Sequence, residues 1–279
     1  MLILVTGASG GLGSLVLERL AEHQGVWAGS RTPDQLSVNV PTRLVDFDDP
    51  ASLTKGFEGA EVVLLISAGY AEDDVVIARH GAAIDAAEQA GVGHIVYTSL
   101  SAAGDHLAFA LAHRWTERRL MAGRTDWTIL RNGIYAEMSI PGAAEAAATG
   151  RFTGPLGEGR LAAVAREDLA DVTAKIVAKP ASHGGKIYEL VGEHAVGGAD
   201  IARAVAEATG KDVVYEPGTL AQLREALTTA GVPGWQIPIV VSTYSVIAAG
   251  FMAETAGDLA DLLGRAPRSA LDVIATAVA

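Results

Sequence analysis

Along the first two-thirds of the chain, short and almost unbroken apolar runs alternate with longer segments in which apolar residues recur every three or four positions. Runs of the first kind predict strands buried on both faces, and segments of the second kind predict helices packed through one side. The predicted strands are LILVT (2–6), VWAGS (26–30), RLVDF (43–47), EVVLLIS (61–67), HIVYTS (94–99), DWTILR (126–131) and GKIYELV (185–191). Helices are predicted over 11–23, 50–57, 73–90, 106–122 and 134–148, the second of them announced by Asp48, Asp49 and Pro50. Such alternation is the signature of βαβ units, and it predicts an α/β fold built on a doubly wound parallel sheet.

Beyond residue 150 the pattern loosens. GRFTGPLGEGR reads as a glycine-rich exposed loop, followed by a helix-rich tail with one strand-like run, DVVYEP (212–217). The expected organisation is a nucleotide-binding domain over 1–150 and a smaller C-terminal α/β lobe over 151–279 covering a substrate cleft, with the strand near 185–191 returning to the main sheet. The most apolar segment, WQIPIVVSTYSVIAAGFMA, is broken by Pro238 and several hydroxyls and falls short of the ~20 residues of a membrane span, so it reads as a core or substrate-covering helix. MLILVTGASG lacks the basic start of a signal peptide and reads as a buried strand.

Composition narrows the partners. A net charge of −12 argues against a nucleic-acid partner, which would require clustered Lys and Arg. With no cysteine the chain has no disulfide, thiolate nucleophile or Cys-ligated metal, and its seven histidines lack zinc-ligand spacing; a cytoplasmic protein with no metal and no membrane partner is expected, and composition leaves monomer or homodimer open.

The strongest local signal is VTGASGGLGSLVLERL, which places Gly7, Gly10 and Gly13 directly after an apolar strand and at the start of a helix. Glycines there permit a tight turn, let backbone approach a pyrophosphate and seat the helix on the strand, while the helix start offers free N–H groups to phosphate. In this context the motif predicts a dinucleotide cofactor. The end of the second strand discriminates between cofactors. AGSRTP carries Ser30 and Arg31 and no carboxylate, and a guanidinium grips a 2′-phosphate through paired hydrogen bonds, so NADP(H) is expected over NAD(H).

Taken together, VTGASGGLG, SRTP, VDFDDPASL, VLLIS, AIDAAEQAGVGHIVYTSL, HRWTERRL, WTILRNGIYAEM, AREDLADV and GKIYELVG resemble the NmrA-like atypical short-chain dehydrogenase/reductase family, most closely its type 2 NAD(P)H:quinone oxidoreductase branch. The resemblance runs over almost the whole chain and implies a Rossmann-like fold, NADPH binding and two-electron reduction of quinones. Carried over residue by residue, it implies that Gly7, Ala8, Ser9, Gly10, Gly11 and Leu12 hold the pyrophosphate and that Arg31 meets the 2′-phosphate. Asp46 and Phe47 would border the adenine, although Asp46 alone could simply cap a turn. Ser67, Ala68 and Gly69 would line the adenosine side, and Thr98 and Ser99 the floor. Asn132, Gly133, Ile134 and Tyr135 would flank the nicotinamide, with Tyr135 also facing the substrate.

Members of the wider superfamily carry a Tyr and a Lys four residues apart on the helix after the fifth strand, where the Lys-activated Tyr protonates the substrate oxygen. Here Phe109 stands at the tyrosine position and His113 at the lysine position, so the acid is absent and His113 is expected to position the nicotinamide ribose. Reduction of a ketone needs that acid. A quinone does not, because its reduced anion is delocalised and takes a proton from water, and apposition of two rings supplies much of the rate. The expected function is direct hydride transfer from NADPH to a quinone, without flavin or metal. The alternatives are a non-catalytic NADP(H)-binding redox sensor, or a reductase of triphenylmethane or azo dyes. Phe109, Tyr135, Phe152 and Trp235 are the candidate substrate walls, beside Ile237 and Tyr244. Glu117, among Arg114, Arg118 and Arg119, reads as a helix-surface ion pair, and Asp168 as a cap or an interface residue.

Overall fold

The computed structural model of the chain describes residues 1–68 and 71–279. Its strands are β1 (Ile3–Val5), β2 (Val26–Ser30), β3 (Thr42–Leu44), β4 (Val62–Ile66), β5 (His94–Leu100) and β6 (Asp126–Asn132), then β7 (Arg151–Gly154), β8 (Arg160–Leu161), β9 (Lys186–Leu190), β10 (Val196–Gly197) and β11 (Val214–Pro217). The helices are α1 (Gly11–Arg19), α2 (Pro50–Phe57), α3 (Asp73–Ala90), α4 (Ala110–Met121), α5 (Ile140–Thr149) and α6 (Arg166–Ala178), followed by α7 (Gly198–Thr209), α8 (Leu220–Thr229), α9 (Gln236–Ala248), α10 (Leu259–Leu263) and α11 (Ala270–Thr276). None of the described helices is long and apolar enough to cross a membrane.

The main sheet has seven strands in the order β3-β2-β1-β4-β5-β6-β9. Register is parallel from β3 to β5, with Leu4 between Trp27 and Val63, and Ile66 opposite Thr98. β9 also runs with β6: Gly185 N–H donates to Trp127 O, and five residues later the partners are Gly133 and Leu190. Strand order reverses between β1 and β4, and in such sheets ligands bind at that switch point. The strands of the sheet centre are largely apolar and almost wholly buried because both faces are covered: Ile3, Leu4, Val5, Leu64 and Val96 have no exposed surface. The doubly wound α/β fold expected from the pattern, Rossmann-like as the family resemblance implies, is the fold observed.

Contacts divide the chain into two compact units, one comprising 1–100, 111–131 and 169–188, the other 101–110, 132–168 and 189–279. In the first, Leu53 and Phe57 of α2, Ile84 and Ala87 of α3 and Leu120 of α4 pack with Leu4, Val63, Ile95 and Tyr97 of the sheet. In the second, β7 pairs with β11 and β8 with β10. Asp168, fully buried at the start of α6, accepts from the guanidinium groups of Arg265 and Arg268 and from Arg268 N–H, which fastens the C-terminal segment.

Three expectations are corrected. The helix predicted over 106–122 begins only at Ala110, and residues 102–106 form a 3₁₀ turn. Leu107 and Ala110 are both buried three residues apart, a spacing that successive i→i+3 turns satisfy as well as a helix does. Likewise 134–148 resolves into a 3₁₀ turn over Ala136–Ser139 and then α5, whose first turn holds Pro141, because Tyr135 is still bridged to Val164 in extended pairing. GRFTGPLGEGR is not an exposed loop: Phe152 and Leu156 are buried, since β7 lies against β11 and the Phe152 ring packs 6.1 Å from Tyr215.

Candidate functional site

The glycine turn closes β1 onto α1. Gly7 adopts a positive φ of 61°, which a side chain would strain, and a Cβ on Gly13 would collide with the Gly7 carbonyl oxygen. Gly10 is the N-cap of α1 and contributes no side-chain cap, and no acidic residue stands in the first turn. The N–H groups of this helix start are thus left to a ligand, and the exposed rim Ser9–Gly10–Gly11 is open to an anion while Ala8 and Leu12 are buried beneath it. The cradle fits a dinucleotide pyrophosphate.

The neighbouring strand ends are stapled by hydroxyl groups. Thr6 Oγ1 donates to Leu64 O at 3.0 Å and accepts from Ile66 N–H at 3.0 Å, and Thr98 Oγ1 accepts from Ser67 N–H at 3.0 Å. Ala68 N–H donates to His80 Nε2 at 2.9 Å, and His80 Nδ1 lies 2.8 Å from Thr116 Oγ1. Because the Thr116 hydroxyl donates its single proton to Ala112 O at 2.8 Å, Nδ1 must be the donor to Thr116 and Nε2 the acceptor. His80 is therefore neutral, and burial, with the neighbouring His113 ring and Arg79 as lesser causes, pushes it down to about 3.

At the end of β2, Ser30 is buried and its hydroxyl accepts from Thr32 N–H, while Arg31 points into solvent with no ion pair to a described residue. After β3, Asp46 and Phe47 lie in a turn instead of a strand end. Asp46 Oδ1 accepts from Asp48 N–H, and Ser52 Oγ is bonded to both Asp46 N–H and Asp46 O. The capping role that Asp46 could serve is thus real, and the Phe47 ring is half-buried beside it.

Below the sheet ends, α4 brings a second polar cluster to β5. The Tyr97 hydroxyl meets His113 Nδ1 at 2.8 Å. Burial pushes the Tyr97 phenol up; burial and the Arg114 charge bring His113 down to about 4 despite the opposing Glu117 charge. Glu117 is buried, which overturns its reading as a surface ion pair. It accepts from Ser99 Oγ at 2.6 Å, from Arg114 Nη1 at 2.8 Å, and from Arg131 through Nε at 2.9 Å and Nη2 at 2.7 Å. Desolvation raises the Glu117 carboxyl, but the Arg131 and Ser99 hydrogen bonds and the two guanidinium charges outweigh it, so it stays ionised.

In the second unit, Asn132 ends β6 with its side-chain amide buried, Gly133 N–H donates to Leu190 O, and Ile134 O accepts from Val164 N–H. Tyr135 follows, with the Arg166 guanidinium 4.9 Å above its ring. Phe109 is half-buried immediately before α4, and Trp235, at the N-cap of α9, is 37% exposed. Phe152, a predicted substrate wall, is buried, with Tyr215 and Gly142 beside its ring.

A model of the family described as NAD(P)H-binding matches residues 7–180. The chain belongs to this NAD(P)H-binding family. It is 32% identical over 271 residues to quinone oxidoreductase 2 of Escherichia coli strain K12, with 94% of each chain covered. Its fold superimposes with a TM-score of 0.92 on Citrobacter sp. triphenylmethane reductase complexed with NADP(H), at 29% identity and covering 99% of this chain and 100% of that one. The corresponding values for the E. coli NADPH-dependent quinone oxidoreductase complexed with NADPH are 0.90, 30%, 99% and 99%. The NmrA-like resemblance read from the motifs therefore stands.

Of the predicted site residues, Gly7 to Leu12, Arg31, Asp46, Phe47, Ser67, Ala68, Thr98, Ser99 and His113 all fall in the first unit, and Phe109, Asn132 to Tyr135, Phe152 and Trp235 in the second. Gly69 lies outside the described residues. Reading by motif missed His80, Tyr97 and Thr116. The signal available was modest: His80 falls on the apolar side of α3, four residues after Val76, where an imidazole needs two polar partners to be buried.

Proposed function

We propose that this protein is a cytoplasmic NADPH-dependent oxidoreductase that transfers a hydride directly to a quinone. The observation that carries this reading is the commitment of every ionisable group in the α4 cluster. Ser99 gives its proton to Glu117, Glu117 is held ionised between two guanidinium groups, His113 is neutral and bonded to Tyr97, and burial raises Tyr97 away from any acid role at neutral pH. None is a ready proton donor for a localised alkoxide, whereas a reduced quinone takes its proton from water. Its resemblance to E. coli quinone oxidoreductase 2 agrees.

When bound, NADPH supplies the hydride from nicotinamide C4. The protein's own residues do the rest: Gly7 to Leu12 hold the pyrophosphate, Arg31 the 2′-phosphate, Phe47 and Ser67–Ala68 the adenosine side, and Ser99 and His113 the ribose side. Asn132 to Tyr135 hold the nicotinamide, and Tyr135, Phe109 and Trp235 contact the acceptor ring. His113 positions and does not protonate. A second reading, reduction of triphenylmethane dyes, is favoured by the likeness to the Citrobacter enzyme and uses the same residues, since a cationic dye carbon needs only a hydride.

The test is NADPH oxidation by purified protein with a small quinone, with a triphenylmethane dye and with neither. Acceleration by the quinone supports the first reading and acceleration by the dye alone the second; micromolar NADPH binding without either would make the protein a nucleotide sensor. Arg31→Ala should weaken NADPH binding by about tenfold or more and leave NADH unchanged, because a bidentate charged contact contributes roughly 1.5–3 kcal/mol.

A further inference from the structure

Asp48 stands two residues beyond Asp46, and both its oxygens are engaged by one guanidinium from α3: Arg79 Nε reaches Oδ1 at 2.7 Å and Nη2 reaches Oδ2 at 2.7 Å. The Asp48 side chain is 56% exposed, so this pair contributes little to stability. Its location suggests another use. Arg31 is close enough for its charge, after the Arg79 hydrogen bonds, to lower the Asp48 carboxyl, and Arg79 in turn feels Asp46 as well as Asp48. Two guanidinium groups and two carboxylates thus share one solvent-facing patch at the ends of β2 and β3. Beside it opens a cavity of about 370 Å³ lined by Phe47, Asp48, Val75, Ala78 and Arg79, with a third carboxylate, Asp74, on its wall.

We infer that Arg79 is a second determinant of cofactor choice, which by neutralising Asp48 keeps the surroundings of Arg31 from repelling the 2′-phosphate of NADP(H). The inference rests on the assignment of Arg31 to that phosphate. With Arg79 present these four side chains and the neighbouring Asp74 sum to minus one; without it they sum to minus two, and the uncompensated carboxylate lies near a group of almost two negative charges. NADH carries only a hydroxyl at that position and is indifferent to the change. Arg79 acts through Asp48 and Arg31 and needs no contact with the nucleotide.

The experiment measures dissociation constants of NADPH and NADH for the wild type, Arg31→Ala, Arg79→Gln, Asp48→Asn and the double variant Arg79→Gln/Asp48→Asn, at low and at physiological salt. Arg79→Gln should weaken NADPH about threefold to tenfold and NADH less than about twofold, most strongly at low salt, as expected for one charge acting across solvent on a phosphate. Adding Asp48→Asn should restore NADPH affinity, and Asp48→Asn alone should tighten it. Equal losses for both cofactors in a folded Arg79→Gln protein, or no restoration in the double variant, overturn the inference while a selective Arg31→Ala effect leaves the Arg31 assignment standing. An Arg31→Ala protein with unchanged NADPH affinity overturns both. Should Arg79→Gln fail to fold, Asp48→Asn alone decides: unchanged NADPH affinity refutes the role of this pair.

Discussion

Lowering the pH from 7.5 to 5 should unfold this protein progressively, and the cause can be localised to the two histidines on α3 and α4. His80 cannot accept a proton on Nε2 without setting an N–H against Ala68 N–H, and its Nδ1–H is already given to Thr116. His80 is pushed down to about 3 and His113 to about 4, in each case chiefly by burial, whereas an unfolded histidine titrates near 6.5. A depressed folded value means that the unfolded chain binds the extra proton first. The stability is therefore fully present above about pH 6.5 and is lost as the pH falls toward the folded values, at about 1.4 kcal/mol per pH unit for each group. At pH 5, about 1.5 units below the unfolded value, each histidine should have cost about 2 kcal/mol, or about 4 kcal/mol together. Urea unfolding at pH 7.5, 6.5, 5.5 and 5.0 measures the loss. His80→Gln, whose Oε1 can still accept from Ala68 N–H, isolates one term: it should lose about 2 kcal/mol less than the wild type over the same interval. The lowered values of His94 and His183 add to the drop in both proteins and cancel in the difference. A wild-type stability flat to pH 5, or an identical drop in His80→Gln, would refute the tautomer assignment and the burial argument together.

Two further perturbations test the other buried charges. Glu117→Gln leaves two largely covered guanidinium groups facing a neutral amide, and should destabilise by roughly 2–4 kcal/mol at pH 7, between the value of a surface pair and that of a fully buried one. Since the folded Glu117 carboxyl is lowered, the difference from wild type should hold constant down to about pH 5 and shrink as the pH falls below the unfolded value of about 4.3 toward the lowered folded one, which thermal melts at pH 7, 5 and 3.5 will show. Asp168→Ala should free Arg265 and Arg268 from the start of α6, and limited trypsin digestion should then cut after those residues severalfold faster than in the wild type while the rest of the chain resists.

What could be read from the chain, and what could not, follows the range of the interactions involved. The central strands β1, β4 and β5 were legible because each is a local, largely apolar run buried on both faces, whereas the edge strand β3, largely exposed, spans only 42–44 where 43–47 was expected; α2 and α3 were legible to the residue because Asp49–Pro50 and Gly91 mark their ends by local geometry. The glycine turn was legible for the same reason: Gly7 and Gly13 are demanded by conformation and close approach within seven positions of each other. The start of α4 was not, because 3₁₀ turns bury Leu107 and Ala110 at helical spacing. Glu117 was the larger error. Its neighbours Arg114, Arg118 and Arg119 suggest a solvated face, but its burial is decided by Arg131 on β6 and Ser99 on β5, which no window along α4 contains. His80 is the same case in neutral form, with one partner on α4 and another after β4. In both, the residue type announces a polar group and the tertiary partners alone determine whether it can be buried. The functional consequence is specific: the groups that set protonation around the candidate cofactor floor are those whose state depends on partners from other elements, so the chemistry of this site is carried by the least local part of the sequence.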